Sequence, residues 1–300
     1  MSAFETLAID TAHGVTLSST ASGFNSFDFT QAGNQTLTLN AGYTGATSVS
    51  ITGDVTNGDT ITNTANVALT VSANLADLDG TITGGTGTDT INATVDGATQ
   101  TLAAGITGVE VINVTSSATA GTDGGITTVN ANVAAAKTME VNASTLSSTE
   151  VFTFDGSAET NGSFTVRGGA AIDIITGGSG ADTIYGGAGN DSTLSGGAGN
   201  DTIYGDAGDD TITAGAGDDT IYGGTGKDTI VLAGNLTAAD TIDGGDGIDI
   251  LQTTSISAAV LAGVTNVETL QLTASASATL TADIAFDTID LTTGTDTETI

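Results

Sequence analysis

The chain has 300 residues with 35 acidic and 3 basic side chains, a formal net charge of −32, and no cysteine, proline or tryptophan. Direct nucleic-acid binding is excluded, because phosphates are bound by clustered Lys and Arg. Disulfides are excluded by the missing cysteines. No apolar run approaches the ~18 residues of a membrane-spanning helix. Residues 1–20 lack the basic and apolar regions of a Sec signal peptide.

The first part of the chain, residues 1–167, is predicted to be rich in strands. Thr, Val, Ile and Ser dominate it, and apolar and polar residues alternate with period two. The alternation recurs here and near the C-terminus, in Thr36–Asn40, Ser48–Thr52, Leu69–Ser72, Val109–Val114, Val151–Asp155, Phe164–Arg167 and Leu270–Thr273. The alanine-rich segment Ala131–Glu140 is a helix candidate. For residues 1–83 the pattern leaves both a sandwich and an irregular solenoid open.

A nine-residue phrase, G-G-x-G-x-D-x-(Ile/Leu)-x, repeats in tandem between residues 177 and 231. Copies begin at Gly177, Gly186, Gly196, Gly205, Ala214 and Gly223. Glycines allow a tight turn with inward carbonyls, and the aspartate adds a carboxylate. Hard cations such as Ca²⁺ take six to eight oxygens. The strongest predicted ligands are therefore Asp182, Asp191, Asp201, Asp210, Asp219 and Asp228.

Less regular copies supply weaker candidate ligands. Units at 168–176, 232–243 and 244–252 surround the tandem block, and an isolated copy occupies 84–92. Their aspartates are Asp173, Asp240, Asp249 and Asp89. The unit Gly186–Ser195 is one residue too long, so its apolar anchor moves to Leu194 and a β-bulge is expected.

The apolar position of each unit predicts a thin roll of parallel strands. Two nonapeptides make one coil, and coils stack about 4.8 Å apart. Carboxylates at that separation repel by roughly 1 kcal/mol in water and nearer 3–4 kcal/mol at an effective dielectric of 20. Metal binding and folding are therefore expected to be one event.

Tyr185, Tyr204 and Tyr222 close alternate units. Alternate units share a sheet, so these side chains are predicted to form an outward ladder. Two interpretations remain open: the tyrosines cover the ends of the strands, or they form a contact surface for another subunit.

A longer repeat joins the two ends of the chain. Residues 104–114 are similar to residues 262–272, and each segment follows an irregular calcium turn by about twenty residues. Calcium turns are therefore expected within a continuous strand-rich body. The predicted divisions are 1–167, strand-rich with one isolated turn; 168–252, the roll; and 253–300, strand-rich again.

The residues for familiar catalytic sites are missing. His13 is the single histidine, and no cysteine exists, so a zinc hydrolase is excluded. No G-x-S-x-G motif is present. No catalytic residue and no organic cofactor are predicted, and the protein is not expected to be an enzyme.

The tandem block resembles the RTX (repeats-in-toxin) family of bacterial secreted proteins, over residues 168–252 and again at 84–92. The resemblance implies an all-β fold with a parallel β-roll, several bound Ca²⁺ ions and export by a type I system. It also implies folding outside the cell. The composition is similar to that of Gram-negative surface-layer proteins.

We therefore expect a secreted, calcium-dependent structural protein that assembles with itself as a surface-layer or filament subunit. Its partners would be copies of itself and, through calcium, cell-surface polysaccharide. The alternatives are a non-catalytic binding module of an RTX adhesin or matrix protein, and a non-catalytic fragment of a larger hydrolase or toxin.

Overall fold

The protein is described by a computed structural model that covers residues 7–9, 14–17, 26–29, 35–41, 43, 48–53, 59–95, 97–116, 124–254, 260–273 and 286–290. These residues form a β-solenoid, in which the chain coils through parallel sheets. The all-β fold and the parallel roll predicted from the repeat are confirmed. The described part of residues 1–83 belongs to the same solenoid, which decides between the two alternatives for that region.

Sheet 1 runs along the whole solenoid and has 13 strands. They are β1 (Leu7–Ile9), β3 (Ser26–Phe29), β5 (Ser48–Gly53), β7 (Ala68–Asn74), β9 (Thr90–Val95), β12 (Val111–Ser116), β14 (Thr138–Asn142), β16 (Ser163–Arg167), β18 (Thr183–Ala188), β20 (Thr202–Ala207), β22 (Thr220–Thr225), β24 (Thr241–Asp246) and β26 (Val264–Thr265).

Two further sheets complete the coils. Sheet 2 has five strands and belongs to the N-terminal coils: β2 (Gly14–Leu17), β4 (Thr36–Leu39), β6 (Thr60–Asn63), β8 (Thr81–Thr83) and β11 (Ile106–Thr107). Sheet 3 has ten strands: β10 (Thr99–Thr101), β13 (Gly124–Thr127), β15 (Phe152–Asp155), β17 (Ile174–Thr176), β19 (Thr193–Ala198), β21 (Thr211–Ala216), β23 (Thr229–Ala233), β25 (Ile250–Thr253), β27 (Thr269–Leu272) and β28 (Thr288–Asp290). Two short 3₁₀ turns, Leu75–Asp77 and Val260–Gly263, are the helical elements of the described residues.

The core changes character along the solenoid. In the N-terminal coils it contains large side chains such as Phe27, Phe152 and Phe164, all at most 1% exposed. In the repeat block each of the strands from β18 to β22 contributes a single isoleucine or leucine anchor. Ile184, Leu194, Ile203, Ile212, Ile221 and Ile230 are all 0% exposed. Because this core is thin, much of the stability of the roll must come from interactions in its turns.

Two local predictions are wrong. Ala131–Glu140 is not a helix: it forms turns and then enters β14 at Thr138, because pairing with β12 and β16 outweighs the helix propensity of its four alanines. The long unit has no bulge in its strand. Its extra residue, Ser192, is exposed in the turn, and β19 pairs in register with β17 and β21.

The seven segments with period-two alternation all contain strands, which confirms those predictions. The divisions near residues 168 and 253 stay predictions. Sheet 1 continues from β16 to β18 across the first division, and sheet 3 continues from β25 to β27 across the second.

Candidate metal centre

The ten aspartates singled out in the sequence stand in turns immediately before strands. Each of them is at most 2% exposed. Turns that lead into sheet 1 form one row, and turns that lead into sheet 3 form a second row. The first row contains Asp89, Asp182, Asp201, Asp219 and Asp240, and the second contains Asp173, Asp191, Asp210, Asp228 and Asp249.

One oxygen of nearly every carboxylate ties its coil to the preceding one. The backbone N–H of Asp191 donates to Oδ1 of Asp210 at 2.8 Å, and Asp210 donates to Asp228 in the same way at 2.9 Å. Seven such bonds of 2.8–2.9 Å link aspartates of successive coils. The sequence predicts these carboxylates as metal ligands alone, and this second role becomes visible only in the structure.

The other oxygen is often left without a partner. Within the described residues, Oδ2 of Asp191, Asp201, Asp210, Asp228 and Asp249 is buried and forms no hydrogen bond. A buried carboxylate oxygen without a partner is costly. These five atoms therefore call for a positively charged ligand.

Backbone carbonyls complete the surroundings of these oxygens. A Cβ added to Gly186 would lie 2.6 Å from the carbonyl oxygen of Gly205 in the next coil and would meet Oδ2 of Asp191. Gly196 is placed in the same way against the carbonyl of Ala214 and Oδ2 of Asp201. The space that glycine leaves open is thus lined by oxygen atoms, which fits a hard cation.

The described residues contain no cluster of three or more His, Cys, Asp or Glu side chains placed to hold a metal. A cation at these turns must therefore take most of its oxygens from the backbone. Carbonyl ligation combined with one or two carboxylates is well suited to Ca²⁺ and unsuited to zinc, which prefers nitrogen and sulfur. Calcium held there would supply the charge that balances the buried carboxylates.

Six of the turns share a left-handed backbone. Their second and fourth residues have positive φ, and Gly208 at φ 136° is an example. Asp206 is the second residue of its turn and has φ 70°, in the left-handed region, where among residues with a side chain Asn and Asp are the best tolerated. These turns end at Asp191, Asp201, Asp210, Asp219, Asp228 and Asp249, which include all five aspartates with an unpartnered oxygen.

Four other aspartates have both oxygens occupied. In the turns of Asp89, Asp173 and Asp182 the second residue has negative φ, and its N–H donates to Oδ2 of the aspartate at 2.6–2.7 Å. In the enlarged loop, the N–H of Thr237 donates to Oδ2 of Asp240 at 2.7 Å. Asp182 is one of the strongest ligand candidates predicted from the sequence, but its turn has the same geometry as the turns of the weaker candidates Asp89 and Asp173.

Burial raises the pKa of several of these aspartates. It raises the pKa of Asp191 to about 8, with added repulsion from Asp210, Asp173 and Asp206. Burial likewise raises the pKa of Asp201 and Asp210 to about 7. Asp173, Asp182 and Asp228 reach about 6 for the same reason. A nearby cation would reverse this preference and keep the carboxylates charged.

At two turns a glutamate takes the place of the aspartate of the next coil as the acceptor. The N–H of Asp89 donates to Oε2 of Glu110 at 2.8 Å, and that of Asp249 donates to Oε2 of Glu268 at 2.8 Å. Both glutamates belong to the long repeat at 104–114 and 262–272. The two copies of that repeat therefore share one contact, in which the glutamate accepts the N–H of the aspartate one coil earlier.

The fifth position of the repeat, which the sequence treats as variable, carries a further ladder. Oδ1 of Asn190 accepts the N–H of Asp209 at 3.0 Å, and Oδ1 of Asp209 accepts the N–H of Lys227 at 2.8 Å. The enrichment of Asn and Asp at this position was the signal that could have revealed it.

The predicted tyrosine ladder is confirmed. Tyr185 and Tyr204 stack at 4.8 Å between ring centroids, and Tyr204 and Tyr222 stack at 4.9 Å. The guanidinium of Arg167 lies 4.1 Å from the centre of the Tyr185 ring and covers the N-terminal end of the stack.

His13 lies outside the described residues. No helix in the described part of the chain has the length and apolarity needed to cross a membrane.

The family of RTX calcium-binding nonapeptide repeats (4 copies) matches residues 165–192, 193–230 and 237–253. The match confirms the resemblance drawn from the tandem block, and repeats of this family bind several Ca²⁺ ions. They are typical of proteins secreted by Gram-negative bacteria, and their β-solenoids are in general non-catalytic. Comparisons with curated proteins and with solved structures found no significant match.

Proposed function

We propose that this calcium-binding repeat protein is a structural subunit that folds on Ca²⁺ after export and assembles with itself into a surface layer or filament. One observation carries the calcium-dependent step: five buried carboxylate oxygens without partners, each beside a backbone carbonyl of the next coil. The five aspartates with an unpartnered Oδ2 form the centre of the proposed ligand set.

Calcium-dependent folding follows from the thin core. Most strands of the repeat bury one large aliphatic side chain, while each turn buries a carboxylate. At neutral pH the charged roll is opposed by desolvation and by repulsion between neighbouring coils. Ions bound only in the folded state would each add about 1.4 kcal/mol at free calcium ten times the dissociation constant. The chain is therefore expected to stay unfolded in calcium-poor cytosol.

Self-assembly is supported by the regular outer surface and by the charge. A solenoid presents the same spacing of residues to a neighbour along its whole length, and the tyrosine ladder is part of that surface. Copies with a net charge of −32 repel each other until bound calcium lowers the charge. Folding and assembly would then share one trigger.

The second candidate is a binding module of an adhesin or matrix protein. The tyrosine ladder also supports this function, because Tyr222 at the open end of the stack is 37% exposed. In this alternative, calcium would fold the roll and bridge it to acidic polysaccharide, and the protein would remain a monomer.

A calcium titration followed by circular dichroism, light scattering and electron microscopy tests the proposal. We expect strand signal to appear with calcium, followed by scattering and by regular sheets or fibres. Strand structure that is unchanged in chelator would refute calcium-dependent folding. A chain that folds with calcium but stays dispersed, and binds cells or glycans, would favour the adhesin module.

A further inference from the structure

The outer face of sheet 2 carries threonine in two straight rows. Strands β4, β6 and β8 each read Thr-x-Thr, and the residue between the threonines points into the core. In one row Thr36, Thr60 and Thr81 pair directly with each other. The second row runs through Thr38, Thr62, Thr83 and Thr107, and the backbone of β2 pairs Thr16 with Thr38 in the same register.

This face differs from the rest of the surface in its charge. The five strands of sheet 2 contain no Asp, Glu, Lys or Arg, although the chain has a net charge of −32. Sheet 1 has one row of paired threonines, from Thr165 to Thr241, but the row beside it contains Arg167, the tyrosine ladder and Asp243. The corresponding rows of sheet 3 are interrupted by Ile174 and Asp155. Sheet 2 therefore offers an uncharged and chemically uniform surface.

The rows form a lattice with two fixed spacings. Strand pairing sets about 4.8 Å along each row, and the strand repeat sets about 6.7 Å between the rows. None of the pairings within sheet 2 shifts register. Thr36, Thr38, Thr60, Thr62, Thr83 and Thr107 are half-buried and Thr81 is exposed. Within the described residues, no side-chain hydrogen bond of these seven hydroxyls is formed.

We propose that the threonine face of sheet 2 binds ice. Each threonine holds a hydroxyl beside a methyl group with a restricted χ1, so the face presents a repeating pattern of hydrogen-bonding and apolar points. Water molecules that are hydrogen-bonded to this pattern lie on a regular lattice. A growing ice surface repeats in two dimensions with comparable spacing, so it is the partner that fits this face. The hydroxyls take the positions of surface water molecules, and the methyl groups fit between them.

Charge and area both favour ice over a protein partner. An uncharged face gives no attraction to a cationic or anionic macromolecule. Five strands of about four residues cover roughly 300 Å², well below the about 800 Å² per partner of a stable protein interface. Binding to a crystal surface depends instead on register, which sheet 2 keeps over all five strands.

The test measures thermal hysteresis and the shape of single ice crystals with the full chain folded in saturating calcium. Wild type should depress the freezing point below the melting point and produce faceted crystals. Thr62→Lys, at the centre of the face, should reduce the hysteresis more than roughly fivefold. The matched control is Thr165→Lys, which places the same side chain on the outer face of sheet 1 and should leave the hysteresis unchanged.

Circular dichroism must show that each variant folds. Thr62→Ser provides a second test if the lysine disturbs the sheet: it keeps the hydroxyl, frees its rotation and should lower the hysteresis while the fold is intact. The proposal would be overturned if a solution of the wild-type protein froze at its melting point, without thermal hysteresis. Equal losses in Thr62→Lys and Thr165→Lys would also overturn it, as would retention on crystalline chitin or cellulose without any effect on ice.

Discussion

The backbone N–H of Asp191 donates a hydrogen bond of 2.8 Å to Oδ1 of Asp210, one coil further along the solenoid. The same carboxylate leaves its Oδ2 buried and unpartnered. One aspartate thus joins two coils through one oxygen and offers the other to a cation. Stacking of the coils and metal binding are coupled through a single side chain, which explains why the repeat requires aspartate at this position.

Replacing Asp210 with asparagine should weaken calcium binding and leave stacking in place. The amide keeps an acceptor for the N–H of Asp191 but removes the charge and the free oxygen. Calorimetric titration should show fewer bound ions or a higher calcium midpoint for folding, by about 1.4 kcal/mol at tenfold excess calcium.

The matched control is Asp209→Asn, one residue away. Asp209 is exposed, and asparagine already occupies the equivalent positions at Asn190 and Asn200. This variant should bind calcium like wild type. Equal effects from both substitutions would mean that general charge, and not the buried oxygen, governs binding.

Stability without calcium should fall as pH rises. The pKa of Asp191 in the folded chain, about 8, lies above the ordinary value of 3.8, because burial disfavours its charged form. A carboxyl group whose pKa is higher in the folded chain than in the unfolded chain stabilises the fold fully at pH values below its unfolded pKa. This stabilisation is lost as the pH rises through its folded pKa. Asp201 and Asp210, at about 7, act in the same direction.

Circular dichroism in calcium-free buffer should therefore show more strand at pH 4 than at pH 8. The stabilising contribution of these carboxylates should fall progressively from about pH 4 to about pH 8, between their ordinary pKa of 3.8 and their raised values. Saturating calcium should remove this loss near neutral pH. Calcium-free protein that gains strand as pH rises would contradict the assigned burial of the carboxylates.

Gly208 should not tolerate a side chain. Its φ is 136°, and a Cβ there would collide with the carbonyl of Gly189. Gly208→Ala should cost about 1–3 kcal/mol or more in the free energy of unfolding, measured with urea in saturating calcium. Gly234→Ala is the control, because its Cβ would meet nothing closer than Thr254 Oγ1 at 3.5 Å. A neutral Gly208→Ala would show that the turn adopts another backbone in solution.

The isolated turn at 84–89 should contribute little to calcium binding. Oδ1 of Asp89 accepts the N–H of Leu69 and the amide of Asn63, and Oδ2 accepts the N–H of Gly85. Protein donors already occupy the oxygens that an ion would take. Asp89→Asn should leave the number of bound ions unchanged.

The same substitution should destabilise the N-terminal coils by about 1–3 kcal/mol, because the new amide cannot accept all three hydrogen bonds. Calorimetry counts the ions, and urea unfolding measures the stability. Loss of one ion in Asp89→Asn would show that calcium displaces these donors and that the turn is a metal site.

Much of the fold could be predicted because the repeat is local. Glycine spacing, one aspartate and one aliphatic residue per unit describe a turn followed by a strand, and the tyrosines marked alternate units as neighbours. Ser192 shows the limit of that reasoning. An added residue is harmless in an exposed turn and disruptive in a strand, and only pairing with β17 and β21 decides its place.

The sequence by itself determined the parallel solenoid, the calcium-binding repeats and the identity of the carboxylates, since each depends on a pattern within nine residues. The tertiary structure decided which of those carboxylates keep a free oxygen. A left-handed turn leaves Oδ2 of Asp201 without a partner, whereas in the turn of Asp182 the N–H of Gly178 donates to Oδ2. Both turns have glycine at their second position, so the local sequence does not distinguish the two backbone conformations, and only the folded chain does.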